Sequence, residues 1–257
     1  FYGATRQRGG WDAGALFRLT ARGSLRRLYG FDGVAGQLAS AAILGEGDGW
    51  LYGTAESGGA YGLGTVFRTT RGGRVEPVHS FARPDGEDPK SALVRGSDGQ
   101  LYGTTCWGGP SNAGALYRMD DRGTVTVVGG FDYETGACPS AAVLQGDDDA
   151  FYGTTSHGGP RGSGTIFRFE PPGQITVVHA FSSTTGAYPL AALVKGADGF
   201  LYGTTYSGGA HDFGTVFRLE PPRTLRVLHS FDGGATGGYP AGPLFLASDG
   251  FLYGTTS

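Results

Sequence analysis

The stretch LYGTTCWGGPSNAGALYR, residues 101–118, is one copy of a unit that recurs along the chain. Copies of its first five residues begin at positions 1, 51, 151, 201 and 252, and copies of its last five begin at Gly14, Gly64, Gly164 and Gly214. A phenylalanine follows in the same register at Phe31, Phe81, Phe131, Phe181 and Phe231. Self-similarity at a fixed period of this length is the signature of a repeat architecture.

Each unit predicts four short antiparallel strands. In the third copy these are residues 92–94, 101–105, 114–118 and 124–128. Asp98-Gly99 lies between the first two and suits a tight hairpin turn, because such turns need positive φ angles. Four short strands in 50 residues, with no helical periodicity, are typical of one propeller blade.

We therefore predict an all-β fold, with residues 1–257 forming a single β-propeller domain of five four-stranded blades. An arc of a larger propeller is the alternative. In the five-bladed arrangement, residues 252–256 would pair with residues 14–19, because that pairing leaves no central strand edge exposed.

Composition excludes several partners. The formal net charge is -3 and no run of Lys and Arg exists, so the chain lacks the basic surface that nucleic acids require. No apolar stretch reaches the roughly 18 residues of a membrane span. The sequence begins at Phe1 rather than at a methionine, which indicates a segment of a longer chain. We expect this segment to be a monomeric domain.

The unit DGxLYGTTxxGGxxxxGTVFRxxxxGxxxxVHSFxxxxGxxP, seen from Asp198 to Pro240, resembles the GloVer tandem repeat of bacterial exported and cell-surface proteins. Six copies of YGT or YGA carry the resemblance over essentially the whole chain. It implies an extracellular or cell-surface location and no established activity.

Residues that recur in every unit are interpreted as packing residues, although one ligand site per blade stays open as an alternative. Residues individual to one unit concentrate in the two variable connections, which strand alternation places on one face. The predicted ligand-binding residues there are Trp11, Asp12, Tyr61, Trp107, His157, Tyr188, Tyr206, His211, Asp212 and Tyr239.

Aromatic rings beside polar groups suit sugars, because rings offer flat apolar area. The sequence thus predicts a non-catalytic module that binds a glycan or an extended polar ligand, with a peptide as the other partner. The alternatives are a structural spacer and a polysaccharide hydrolase or lyase. Glycosidases need two converging carboxylates, and the predicted inner strands carry no acid. We therefore expect no catalytic residue, metal site or cofactor.

Cys106 and Cys138 are the two cysteines, and both fall in variable connections. In an exported protein they predict a disulfide, which requires Cα atoms within about 7 Å. Two free thiols are the alternative.

Overall fold

The computed structural model describes residues 1–7, 13–39, 44–45, 49–220 and 223–257. Over these residues the regular secondary structure consists of strands and contains no helix. The strands are β1 (Tyr2–Thr5), β2 (Ala15–Leu19), β3 (Leu25–Gly30), β4 (Leu44–Gly45), β5 (Trp50–Ala55), β6 (Thr65–Thr70), β7 (Val75–Ser80), β8 (Val94–Arg95), β9 (Leu101–Thr105), β10 (Ala115–Met119), β11 (Val125–Gly130), β12 (Leu144–Gln145), β13 (Phe151–Thr155), β14 (Thr165–Phe169), β15 (Ile175–Ala180), β16 (Val194–Lys195), β17 (Leu201–Thr205), β18 (Thr215–Glu220), β19 (Thr224–Ser230), β20 (Phe245–Leu246) and β21 (Leu252–Tyr253).

Within the described ranges the strands form six small sheets, each in sequence order: β1–β3, β4–β7, β8–β11, β12–β15, β16–β19 and β20–β21. The all-β prediction is confirmed. Five four-stranded blades are not confirmed, because the first sheet has three strands and the last has two. The chain divides into two compact units, Phe1–Val128 and Gly129–Ser257. The assignment to a single domain stays a prediction.

The predicted pairing of residues 252–256 with residues 14–19 is wrong. Strand β2 pairs with β1 on one side, with Tyr2 opposite Arg18 and Thr5 opposite Ala15, and with β3 on the other. Strand β1 carries the same YG sequence as β21 and lies much closer along the chain. Its pairing therefore costs far less loop-closure entropy than pairing with the C-terminal copy.

The recurrent tyrosines hold the turns that contain Asp98 and its counterparts. Asp98 accepts a hydrogen bond from the Gln100 backbone N–H at 3.0 Å and another from the Tyr102 hydroxyl at 2.9 Å. Gly99 supplies the positive φ of 80° that the turn needs. The same carboxylate–hydroxyl bond joins Asp148 to Tyr152, Asp198 to Tyr202 and Asp249 to Tyr253. These tyrosines are therefore structural.

The core of each unit is built by rings that approach a glycine. In the second unit a Cβ on Gly203 would lie 2.5 Å from the Phe217 ring, so only glycine admits that ring. A β-bulge between Val216 and Phe217 turns the ring inward. Equivalent rings form edge contacts from one sheet to the next, with centroids 5.2 Å apart for Phe31–Phe67 and 4.8 Å for Phe131–Phe167. The repeat in the sequence thus produces the same ring–ring contact between successive sheets.

Candidate functional site

One backbone position recurs in a left-handed conformation while its side chain changes. It lies just before Pro89 or its counterparts, and we call its occupants the clamped residues: Leu38, Asp88, Cys138, Tyr188 and Tyr239, with φ between 53° and 61°. The Asp88 N–H donates to Leu63 O at 2.9 Å, and its carbonyl accepts from the Cys106 N–H at 3.0 Å. Such strained residues persist only where their surroundings hold them, and they concentrate at functional sites.

One of the two clamped residues of the first unit, Asp88, is an acid that lies among other charged groups. Arg6 donates two hydrogen bonds to Glu56, from Nε to Oε1 at 2.9 Å and from Nη2 to Oε2 at 2.7 Å. Lys90 Nζ lies 2.6 Å from Asp88 Oδ2. We call Arg6, Glu56, Asp88 and Lys90 the Asp88 cluster. Its two carboxylates lie in connections rather than on the inner strands, where the sequence had indicated no acid.

Burial distinguishes the members of the Asp88 cluster. The side chain of Glu56 is 7% exposed and that of Asp88 is 20% exposed. Asp88 Oδ1 is buried and has no hydrogen-bond partner among the described residues. A buried acceptor oxygen without a partner is rare in native proteins and calls for an explanation, such as a bound water or a catalytic role.

The surroundings of Asp88 raise its pKa, which suits it to proton transfer. Burial raises the pKa of its carboxyl above the ordinary value and the charge of Glu56 raises it further, while Lys90 and Arg6 oppose the shift without cancelling it. The hydrogen bonds to Glu56 and its charge raise the pKa of Arg6, which stays a fixed cation. A carboxylate with a raised pKa beside an ammonium group is suited to general-base catalysis with charge stabilisation.

The raised pKa of Asp88 predicts a pH-dependent stability. Between the unfolded pKa of Asp, about 3.9, and the raised folded value, the folded chain binds more protons, so stability falls as pH rises. Asp88→Asn removes the titrating carboxyl group and therefore this loss of stability. We expect the variant and the parent to melt alike near pH 3, and the variant to melt higher at pH 7, in thermal unfolding followed by circular dichroism. A parent that gains stability relative to Asp88→Asn over this range would contradict the assignment.

In the second unit the structure brings four of the predicted ligand-binding residues into two ring pairs. His157 packs edge-on against Tyr188 with centroids 5.3 Å apart, and Tyr206 lies 5.2 Å from Tyr239. The Tyr206 N–H donates to Tyr188 O at 3.0 Å, which joins the two pairs through the backbone. Tyr188, Tyr206 and Tyr239 are exposed in part. Their role as ligand contacts stays a prediction.

Neither ring pair includes the other described residues of the predicted binding set. Tyr61 and His211 are exposed and Trp107 is half-buried. The Asp212 carboxylate accepts a hydrogen bond from the Gly208 N–H at 2.9 Å, which gives it a turn-forming role. Trp11 and Asp12 lie outside the described residues, so the expected grouping of Asp12 with His211 and Asp212 also stays a prediction.

Both cysteines are disulfide-bonded, and the described residues contain no free thiol. That Cys106 pairs with Cys138 stays a prediction, and it implies that Cys138→Ser releases one thiol. In denaturant without reductant, we expect Ellman's reagent to detect no thiol in the parent and one thiol per chain in the variant. Two reactive thiols in the parent chain would overturn the pairing.

Comparison with known sequences identifies the repeat. The profile of the Gloeobacter/Verrucomicrobia repeat matches residues 1–145 and again residues 120–257. The chain belongs to this repeat family. The family membership confirms the resemblance drawn from the YGT units. No curated protein sequence matches the chain at a significant level.

Solved structures share the fold of the Gloeobacter/Verrucomicrobia repeat chain. A periplasmic gluconolactonase of Pseudomonas aeruginosa aligns with a TM-score of 0.61 and 18% identity, over 98% of this chain and 76% of its own. A gluconolactonase of Xanthomonas campestris aligns with a TM-score of 0.57 and 13% identity, over 99% of this chain and 79% of its own. These neighbours are propeller-type proteins, and at such identity the likeness is one of fold.

These neighbours correct the expected function. The prediction of a non-catalytic glycan-binding module is wrong, because the fold is shared with proteins named as gluconolactonases. The inner strands predicted from the sequence carry no acid, whereas Glu56 and Asp88 lie in the connections between strands. In the described part of the chain, no helix is long and apolar enough to cross a membrane.

Proposed function

We propose that this chain hydrolyses a lactone, with the Asp88 cluster as its catalytic site. The observation that carries the proposal is the buried, unpartnered Oδ1 of Asp88 beside the Lys90 ammonium group. Ester hydrolysis needs a base for the attacking water and a positive group for the oxygen that becomes negative. The fold shared with named gluconolactonases favours a cyclic ester as the substrate.

In the proposed reaction each oxygen of the Asp88 carboxylate has its own role. Oδ1 takes a proton from a water molecule as the water oxygen bonds to the lactone carbonyl carbon. Lys90 uses one of its three N–H donors on Oδ2, and a second donor stabilises the carbonyl oxygen as it becomes an oxyanion. When the intermediate collapses, the ring C–O bond breaks and the leaving oxygen takes the proton from Asp88. The product is the open-chain hydroxy acid.

Arg6 and Glu56 support this site rather than react in it. Their paired hydrogen bonds fix two side chains that come from different repeats. The negative charge of Glu56 makes Asp88 a stronger base. Glu56, held in place by Arg6, is therefore proposed to keep the pKa of Asp88 in its raised range, while the charge of Arg6 limits the shift.

Proton release tests the proposed function directly. The full chain is added to glucono-1,5-lactone and to unsubstituted γ- and δ-lactones at constant pH, and the acid produced is titrated against the spontaneous rate. We expect acceleration with at least the polyhydroxylated lactone. A correctly folded chain that accelerates none of these reactions would refute the proposal.

The proposal extends to the architecture and the location of the protein. We infer that the four-stranded sheets are propeller blades, as in the propeller-type proteins that share the fold. We also infer that the protein is exported, to the cell surface or beyond. The repeat family and the periplasmic gluconolactonase among its structural neighbours support that location.

A further inference from the structure

A polar cleft of about 690 Å³ lies between strands of the β4–β7 and β8–β11 sheets. Its described lining runs from Tyr52 and Arg68 on β5 and β6 to Met119 on β10 and the turn at residues 120–123, and all of it belongs to the first unit. No member of the Asp88 cluster is among these lining residues. The volume suits a small molecule, because ligand pockets usually measure about 300–1,000 Å³.

The turn between β10 and β11 forms one wall of this cleft. An added Cβ on Gly123 would collide with the Val78 side chain of β7, so the turn is seated directly on that strand. The Asp120 carboxylate accepts hydrogen bonds from the Arg122 backbone N–H at 3.0 Å and from the Thr124 N–H at 2.8 Å. The charged residues of the turn therefore have a fixed position beside the cleft.

Arg68 supplies a hydrogen-bond donor that the protein leaves unused. Its guanidinium group stacks on the Trp50 ring at 4.3 Å, and its Nη2 donates to Glu76 Oε2 at 3.0 Å. Its Nε is buried and has no hydrogen-bond partner among the described residues. Such a donor is rare in native proteins, because burying it without an acceptor costs free energy.

The equivalent arginine of the β12–β15 sheet shows which acceptor suits this donor. Arg168 Nε donates to Asp148 Oδ2 at 3.2 Å and to the Tyr152 hydroxyl at 3.2 Å, and Arg168 Nη2 donates to the same aspartate oxygen at 2.9 Å. Ala150 stands there in place of Trp50, so this arginine has no ring at that position to stack on. A carboxylate oxygen is thus a fitting partner for the unused Nε–H of Arg68.

Arg218 is in the same state as Arg68 but has different surroundings. It stacks on the Phe200 ring at 4.4 Å, and its buried Nε also has no partner in the described part of the chain. The cleft beside Phe200 measures about 270 Å³, and its lining includes Asp147, Asp148 and Asp198. Three carboxylates make that cleft unsuitable for an anion, so Arg218 is a matched control for Arg68.

The charges of the first-unit cleft fit a ligand with one negative charge. Its described lining has three cationic and two anionic side chains, which are Arg68, Arg95, Arg122, Asp120 and Asp121. The hydrogen bonds from Thr124 and Arg122 lower the pKa of Asp120, which therefore stays ionised. A doubly charged phosphate would be repelled by both aspartates, whereas ligand hydroxyl groups could donate hydrogen bonds to them.

We propose that this cleft binds a polyhydroxylated monocarboxylate, the anion of a sugar acid. The ligand carboxylate accepts hydrogen bonds from Arg68 Nε and from the Arg122 guanidinium group, and a ligand hydroxyl donates to Asp121. The open-chain product of the proposed lactone hydrolysis belongs to this chemical class. The cleft shares no residue with the Asp88 cluster, and its binding does not depend on that reaction.

Calorimetric titration of the full chain tests the ligand class. The probes are sodium gluconate, glucitol, which has the hydroxyl groups without the carboxylate, and inorganic phosphate. We expect saturable binding of gluconate, no binding of glucitol and weaker binding of phosphate. Absence of gluconate binding at millimolar concentration would overturn the proposal, as would equal binding of glucitol or tighter binding of phosphate.

Variants of the two stacked arginines locate the site. Arg68→Lys keeps the charge but removes the Nε–H, so we expect at least about tenfold weaker gluconate binding. Arg218→Lys makes the same change at the equivalent position and should bind gluconate as the parent does. Equal binding by Arg68→Lys and the parent would overturn the proposal, as would equal weakening in both variants.

A second pair of variants separates local contact from general charge. Arg122→Ala and Arg71→Ala each remove one exposed positive charge, but only Arg122 is among the described lining residues. We expect weaker gluconate binding in Arg122→Ala alone, and equal effects would overturn the assignment. Lactone hydrolysis by Arg68→Lys should match that of the parent, so either proposal can fail without the other.

Discussion

Asp88→Asn should lower the rate of lactone hydrolysis by about 10²- to 10⁴-fold, which is the usual contribution of a positioned general base. Asparagine keeps the shape of the side chain and the Lys90 contact through its oxygen, but it cannot accept the proton of water. The rate at saturating substrate, measured by proton release, checks the expectation.

Asp85→Asn provides a matched control three residues away. Its carboxylate bonds the His79 ring at 2.8 Å and the Ala82 N–H at 2.7 Å, and Thr185 contacts His179 at the equivalent place. This bond is therefore a structural feature of the repeat. Asp85→Asn should lower the melting temperature while hydrolysis by the folded fraction continues. Full activity in Asp88→Asn, or loss in both variants alike, would remove Asp88 from the reaction.

The sequence repeat alone predicts the recurrent strands and turns well. The period and the Asp-Gly turns predicted the strands of each full unit to within a residue or two, as β9 and β10 illustrate. Those features repeat because identical contacts repeat, such as Tyr102 on Asp98. A contact that is present in several units produces a recurring sequence pattern, which is easy to recognise.

The candidate catalytic residues were missed for a specific reason. Tyr188 and Tyr239 were selected as aromatic rings, yet Asp88 occupies the same left-handed position in its own repeat. Aligning the units by the residue before Pro89 would have drawn attention to the acid. What alignment could not supply is the approach of Arg6 to Glu56 across 50 residues or the burial of Asp88, because both depend on packing between sheets.

The terminal sheets escaped prediction because identical strands compete. Tyr2–Thr5 and Leu252–Tyr253 carry the same YG sequence, so the pattern allowed either of them to pair with β2. Only the geometry of the connection favours β1. Among the described strands β21 pairs with β20 alone, and Phe231 has a ring contact with His229 but none of the Phe131–Phe167 type.

Phe181→Ala and Phe231→Ala should therefore differ sharply, although the two residues occupy the same position in adjacent repeats. Phe181 is fully buried against Phe217 and His179, and truncating a buried Phe costs about 3–5 kcal/mol. At roughly 2–4 °C per kcal/mol, its variant should melt about 10 °C lower. Phe231 already faces an open cavity, so its truncation removes few contacts and should shift the melting temperature by less than half as much. Equal shifts would mean that Phe231 is packed as fully as its counterparts.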